Sequence, residues 1–275
     1  TKLLTMRCFF LLLTTLIFTS CSSTYFFASL ESTNEYVEKV ENGDFLLETD
    51  SLWIAYCFKG ENAPMQITAF NKTSEPLYID WSRSALIIDN MAMTYTGEKL
   101  NYSEEWSSSE SVARRNVTIS VSDNTTFIPP NSMISEIPLY LSPNFEQIDK
   151  KSYRNSYLGD RFNQSTNAKR IDFDKENTPL KFRSYLTVYA QPEKPMVFTQ
   201  DFYLRNLIRT TGVKPENLAN NMADRGDFFY TIKHANNDAL YATLGIVALT
   251  GLVVVAAVYG EPVDTDSGYD WDDDY

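Results

Sequence analysis

Apolar and polar residues alternate in a series of short segments along the middle of this chain, and that pattern restricts the fold more than any other feature of the sequence. The alternation runs through residues 65–69, 77–81, 117–121 and 133–141. Successive side chains of a β-strand point to opposite faces, so a period of two predicts strands with one buried face. Many short strands separated by turn residues are typical of a β-sandwich. We therefore predict an all-β, immunoglobulin-like antiparallel β-sandwich at residues 43–205.

Five other segments extend this prediction. Residues 52–58 are continuously apolar, as expected of a strand that is covered on both faces. Residues 182–190 and 196–204 flank a short segment with two prolines, which predicts a hairpin. Two polar segments, at 103–115 and 142–177, are predicted to be long loop insertions on the surface.

Turn formers and prolines indicate how some of these strands are placed. Residues 71–76 consist almost entirely of turn formers, so we expect the strands on either side of them to be antiparallel neighbours. Pro138 lies inside an alternating segment. Because proline lacks the N–H that a β-ladder uses, we expect the strand around Pro138 to lie at a sheet edge.

The first residues have the pattern of an export signal. A basic start precedes an uncharged apolar run at 8–17, and residues 18–21 (FTSC) resemble a bacterial lipobox. We predict a lipoprotein signal peptide at 1–20 whose removal leaves a lipidated Cys21, followed by a tether at 21–42. The alternative is an ordinary signal peptide that is cut nearby and leaves Cys21 as a free thiol.

An uncharged run of 21 residues lies at 239–259. At about 1.5 Å per residue, a helix of this length covers the roughly 30 Å hydrocarbon core of a bilayer. We therefore predict a C-terminal apolar membrane helix at 238–260, preceded by a linker at 206–237 with room for short helices. A buried core helix, or a helix docked on a partner, is the alternative for the same run.

The residues after this run form an acidic tail. Residues 261–275 hold seven acidic groups and no basic one, and such a tail is expected to be solvated or to face a partner. The spacing from Asp264 to Asp270 imitates a calcium loop only loosely. Arg225 and Lys233 precede the apolar run, which is contrary to the positive-inside rule for an exported chain. The helix therefore either crosses an inner membrane or lies against a bilayer or a partner.

Charge and residue types bear on function. The chain has 24 Lys and Arg against 36 Asp and Glu, a net charge of -12, so we expect no nucleic-acid partner. Cys57 is expected to be a small core residue, and the single histidine, His234, lacks companions for a zinc site. We predict no catalytic, cofactor-binding or metal-binding residue and no enzymatic activity. Acidic pairs such as Asp172 and Asp174 leave open an exported enzyme that acts on glycans or peptides.

Asp80 and Arg83 flank Trp81 near the end of a predicted strand. This group could meet a ligand through its charges and its aromatic ring. The interpretation that we favour places Trp81 in the core, with Asp80 or Ser82 capping the turn that follows.

Residues 71–85 (NKTSEPLYIDWSRSA) and 126–132 (TFIPPNS) resemble uncharacterised envelope lipoproteins of Bacteroidota-type bacteria. The resemblance implies a β-sandwich in the cell envelope and no established activity. Many lipoproteins of that group have an acidic cluster after the lipidated cysteine, which is associated with display on the cell surface. This chain has Ser22–Tyr25 there, so the resemblance implies the periplasmic side. Ser51, within Asp50-Ser51-Leu52, matches the O-glycosylation pattern of exported proteins of the group.

The sequence as a whole predicts a non-enzymatic, lipid-anchored cell-envelope protein that binds or scaffolds a protein partner through its sandwich. Its membrane contacts are expected at Cys21 and 239–259. A type I membrane glycoprotein is an alternative organisation, because Asn-x-Ser/Thr triplets are frequent, although no Lys or Arg follows the apolar run. These triplets begin at Asn71, Asn101, Asn116, Asn124 and Asn163.

Overall fold

Strands make up nearly all of the regular structure in the computed structural model of this protein. The structure describes residues 22–95, 124–190 and 194–234, together with the backbone of 102–108 and 111–119. The all-β prediction is confirmed. In the described part, no helix has the length and apolar character needed to cross a membrane.

Several predicted features lie outside the described residues. These are the signal peptide at 1–20, the lipidated Cys21, the apolar helix at 238–260 and the acidic tail at 261–275.

The strands are numbered in chain order as β1 (Thr24–Ser32), β2 (Val37–Lys39), β3 (Phe45–Glu48), β4 (Leu52–Cys57), β5 (Gly60–Glu61), β6 (Pro64–Asn71), β7 (Leu77–Ile88), β8 (Met91–Thr94), β9 (Tyr102–Ser108), β10 (Ser111–Ile119), β11 (Thr125–Ile128), β12 (Met133–Tyr140), β13 (Pro143–Asn144), β14 (Arg154–Gly159), β15 (Ser165–Asp172), β16 (Lys181–Tyr189), β17 (Pro195–Thr210) and β18 (Phe228–Lys233). Short 3₁₀ helices occupy Lys150–Ser152, Pro215–Asn217 and Ala219–Asp224.

These strands form two sheets. The first sheet has the order β11-β7-β16-β17-β1-β18-β5, with β8 paired to β7 and the β14–β15 hairpin joined to β17 through β15. The second sheet has the order β13-β10-β12-β6-β4-β3-β2, with β9 paired to β10. The β18–β5 pair is parallel, whereas the long ladders of both sheets are antiparallel.

Both sheets contribute side chains to one core, which makes the fold a β-sandwich. Phe202 of the first sheet lies at the centre of an aromatic cluster. Its ring centroid is 5.0 Å from that of Phe58, 5.2 Å from that of Phe45 and 5.4 Å from that of Tyr56, all of which belong to the second-sheet side. Burial of such large rings from both sheets is the main force that holds the two sheets together.

The predicted tether at 21–42 is wrong for its central part. Residues 24–32 form β1, which lies between β17 and β18 in the middle of the first sheet. Phe26 faces the main core and Phe27 faces a second apolar cluster on the other side of the sheet. A strand that is buried on both faces is continuously apolar rather than alternating, and residues 25–28 fit that rule.

The predicted linker at 206–237 is also corrected by the structure. The strand β17 continues to Thr210, and residues 228–233 form β18, which pairs with β1. The sandwich therefore extends from 24 to 233 instead of from 43 to 205. The predicted loop at 142–177 likewise contains the β14–β15 hairpin, which packs Leu158 and Ala168 into the second apolar cluster.

The segment at 71–76 is not a hairpin turn. It carries the chain from β6 in the second sheet to β7 in the first, so the predicted neighbours lie in opposite sheets. A second crossing at 129–132 joins β11 to β12 beside it. The side chain of Asn71 is fully buried between the two crossings. Its amide nitrogen donates to the carbonyl oxygens of Glu75 at 2.7 Å and of Ile128 and Pro129 at 3.2 Å.

Two other placements differ from the predictions. Pro138 lies at a register shift between Glu136 and Leu139, and β12 pairs with both β6 and β10 around Leu139. The proline is thus accommodated by a bulge instead of by a position at the sheet edge.

Residues 52–58 alternate between buried and half-buried, so β4 has only one core face. The predicted hairpin of residues 182–190 and 196–204 is confirmed as β16 and β17.

Three hydroxyl groups are buried together in the core. The Oγ of Ser184 lies 2.9 Å from the hydroxyl of Tyr56 and 3.0 Å from that of Tyr95. All three side chains are almost completely buried. Burial raises the pKa of both tyrosines above their ordinary value of 10.0, because a phenolate would lose its hydration there.

Substitution of Asn71 tests whether its side chain holds the two crossings together. We expect Asn71→Ala to lower the free energy of unfolding by about 3 kcal/mol, because buried carbonyl groups lose their donor. The measurement is urea denaturation of the purified protein. Asn177→Ala is the control: its side chain also bonds within a turn but is exposed. Equal losses in the two variants would contradict the assigned role of Asn71.

The buried tyrosines predict a loss of stability at alkaline pH. Above about pH 10 the unfolded chain releases phenolic protons that the folded protein retains. The free energy of unfolding should then fall by up to about 1.4 kcal/mol per pH unit for each buried tyrosine, and it should be unaffected by these groups below pH 9. Urea midpoints between pH 7 and 11 measure this. Tyr95→Phe should flatten the decline and Tyr36→Phe, at an exposed position, should not. A decline that Tyr95→Phe leaves unchanged would contradict the explanation.

Candidate functional site

One end of the sandwich gathers the connections that surround Ser51, the predicted modification site. We call this region the arch end and define it by the loops 49–51, 72–76 and 129–132. The pairs Leu52 with Asn71 and Leu77 with Ile128 place these loops next to one another.

Ser51 lies at the tip of the β3–β4 turn and is half-buried. Its carbonyl oxygen accepts the backbone N–H of Lys72 at 2.9 Å, and its Oγ lies 3.8 Å from the Sδ of Met196. Thr49 closes the turn, since its Oγ1 donates to the carbonyl of Leu52 at 2.8 Å. The turn is therefore fixed against the first crossing.

An aromatic row crosses the outer face of the first sheet at the arch end. It consists of Phe127 of β11, Tyr78 of β7 and Tyr189 of β16, which pair in register. The ring centroids of Tyr78 and Phe127 are 5.4 Å apart, and those of Tyr78 and Tyr189 are 5.9 Å apart. Phe127 is 50% exposed, and Val197 of β17 adds a further exposed apolar side chain to this face. We call these three aromatic residues the first-sheet row.

A matching row crosses the outer face of the second sheet. The rings of Trp53 and Phe70 are stacked with an interplanar angle of 13° and centroids 5.7 Å apart. Met133 pairs with Phe70 and is 65% exposed. We call these residues the second-sheet row. The two rows leave both outer faces of the sandwich apolar at the same end.

The lysine of the first crossing is already bound within the protein. Lys72 is in an ion pair with Glu48, and its Nζ donates to the carbonyl oxygen of Thr49 at 2.8 Å. The two rows of the arch end offer exposed apolar contact area, which suits adhesion to another macromolecule.

Trp81 lies in the core, as the favoured interpretation predicted. It is fully buried, and its Nε1 donates to the Oγ1 of Thr126 at 2.8 Å. The Oδ1 of Asp80 accepts a hydrogen bond from the Ser82 hydroxyl at 2.5 Å and another from the backbone N–H of Arg83 at 3.1 Å. Asp80 therefore stabilises an irregularity of β7 instead of facing a ligand with the indole.

Other candidate residues occupy structural positions. Cys57 is half-buried on the outer face of β4 and not in the core, and burial raises the pKa of its thiol to about 11. His234 is exposed just after β18. Asp172 is paired with Arg154 and Arg170, each at 2.7 Å.

Asp174, the other member of the acidic pair, accepts the backbone N–H groups of Glu176 and Asn177 in a turn. No group of three or more His, Cys, Asp or Glu residues in the described part could hold a metal ion.

Neither aromatic row was predicted from the sequence. Tyr78 occupies the polar phase of the alternating segment 77–81, where a large ring is unusual, and that is the signal that was available. The assembly of the rows depends on cross-strand register, which sequence spacing alone does not give.

No protein-family model matches the chain, and comparisons with curated proteins and with solved structures give no match either.

Proposed function

We propose that this protein is a non-enzymatic, lipid-anchored component of a bacterial cell envelope that scaffolds a protein partner through the arch end of an immunoglobulin-like sandwich. Cys21 carries the lipid, and the apolar run at 239–259 packs in a membrane or in that partner. The sandwich faces the periplasm. This proposal rests on the pattern of residues 8–21 and on the resemblance at 71–85.

One observation favours partner binding above all others. The first-sheet row forms a continuous aromatic strip on an outer face of the sandwich, and Phe127 at its end is half exposed. Aromatic residues bury much area at a small entropic cost, and they are enriched at the centres of protein interfaces.

The position of the row supports the choice of a protein partner. Phe127 belongs to β11, which among the described strands pairs only with β7. A partner strand added beside β11 would bond to its free edge and would pack its side chains on the row.

Site-specific crosslinking in intact cells tests the contact. A photoreactive phenylalanine analogue at position 127 should crosslink one partner in stoichiometric yield. The same analogue at Phe162, which is 59% exposed in the β14–β15 turn, should not. Phe127→Ser should reduce the partner recovered in mild detergent about tenfold, because a central aromatic contact contributes more than 1 kcal/mol. Equal crosslinking at both positions would count against the proposal.

Labelling with a fatty-acid analogue tests the anchor. The wild-type chain should incorporate label and sediment with membranes. Cys21→Ala should carry no label, because the thioether that holds the acyl chains cannot form. Cys57→Ala is the control and should label like the wild type. Label that survives Cys21→Ala would rule out lipidation at this cysteine.

A further inference from the structure

A polar groove lies at the opposite end of β17 from the arch end. Its volume is about 460 Å³, and its walls come from β14, β15 and the last residues of β17. The register pairs Asn155 with Lys169 and Lys169 with Arg209, so that these three residues form a row across three strands. Tyr157 pairs with Asn167 in the next row of the same face.

Because side chains alternate between the two faces of a strand, these residues lie on the face opposite the second apolar cluster. Leu158, Ala168 and Ile208, each of which is adjacent in sequence to one of these residues, face the second apolar cluster on the other side of the sheet. The groove face therefore carries amide, aromatic and cationic groups on a rigid sheet whose reverse side is packed.

Two cations lie side by side in the groove without a carboxylate. Like charges directly opposite each other on neighbouring strands destabilise a sheet. Lys169 contacts the Oδ1 of Asn155 at 2.5 Å, and the Arg209 guanidinium lies 6.0 Å from the centre of the Phe26 ring. Neither cation has an ion pair within the described part of the chain, although the whole chain has a net charge of -12.

A buried hydroxyl group near Arg209 also lacks a partner. Tyr153 is 8% exposed, and its hydroxyl makes no hydrogen bond to the described residues. Burial raises the pKa of Tyr153 to about 12, against the opposing effect of the Arg209 charge, so the hydroxyl is a neutral group with a proton to donate. An unsatisfied buried hydroxyl costs about 1–3 kcal/mol.

We propose that this groove binds an acidic oligosaccharide. A carboxylate of the sugar lies between Lys169 and Arg209, where it relieves the repulsion of the two cations. The ring of Tyr157, which is 72% exposed, packs against the apolar face of a sugar ring. The amides of Asn155 and Asn167 bond to sugar hydroxyls, since each amide both donates and accepts.

The mixture of groups favours a sugar over an acidic peptide. Two cations alone would serve either ligand. The exposed aromatic ring beside two amides, with Thr210 and Thr211 also lining the groove, matches a ligand that carries many hydroxyl groups and a flat apolar face. This inference is independent of the proposed partner contact, which uses the other end of β17.

Calorimetric titration of the full-length protein in detergent tests the proposal. The ligand is a trimer of galacturonic acid, with a neutral galactose trimer and hexaglutamate as comparisons. Saturable binding of the acidic trimer is expected, with binding of both comparisons at least tenfold weaker. Raising the salt concentration should weaken binding, because the contact is partly ionic.

Variants assign the binding to the groove. Lys169→Gln and Tyr157→Ser should each weaken binding of the acidic trimer about tenfold, whereas Lys175→Gln, which removes one charge from an exposed loop outside the groove, should not. Thermal unfolding of each variant checks that the fold is intact. Three outcomes would overturn the proposal: no saturable binding, equal binding of the neutral trimer or of hexaglutamate, and binding that Lys169→Gln leaves unchanged.

Discussion

Two segments cross from one sheet to the other at the same end of the sandwich, and the buried amide of Asn71 joins them. Its nitrogen donates to the carbonyl oxygens of Glu75 and Pro129, one in each crossing, and its oxygen accepts the backbone N–H and the Oγ1 hydroxyl of Thr73 at 2.9 and 2.7 Å. A segment that crosses between sheets leaves the hydrogen-bonded ladder of either sheet, and any of its backbone groups that is buried without a partner is costly. One asparagine side chain satisfies groups from both segments at once.

The surfaces of the arch end depend on these hydrogen bonds of Asn71. The two crossings set where β7 and β11 begin and end, and therefore which residues stand opposite each other. A shift of one residue would turn Tyr78 and Phe127 into the core and bring Leu77 and Ile128 out to solvent. The first-sheet row is thus a consequence of the register that Asn71 holds, as is the position of Ser51 beside the first crossing.

Much of the fold could be predicted from the sequence, because strands with one buried face leave a period of two. The β16–β17 hairpin was predictable for the same reason. Two kinds of feature were not. A strand covered on both faces, such as β1, has no alternation, and its flanking serines and threonines suit a tether equally well. Residues 71–76 contain the same turn formers that a hairpin uses, so local chemistry does not distinguish a turn within one sheet from a crossing between two.

The strand β1 has a consequence for how the protein folds. It is hydrogen-bonded along its length to β17 and β18, and Thr24 stands opposite Lys233. The first and last described strands are therefore partners, and the centre of the first sheet stays incomplete until nearly the whole domain has been synthesised. Folding that depends on contacts so distant in sequence is slow, because a long loop must close first. A chain with this strand order cannot complete its sheet in the order of its synthesis, and it remains available in an extended form to any machinery that handles unfolded polypeptides.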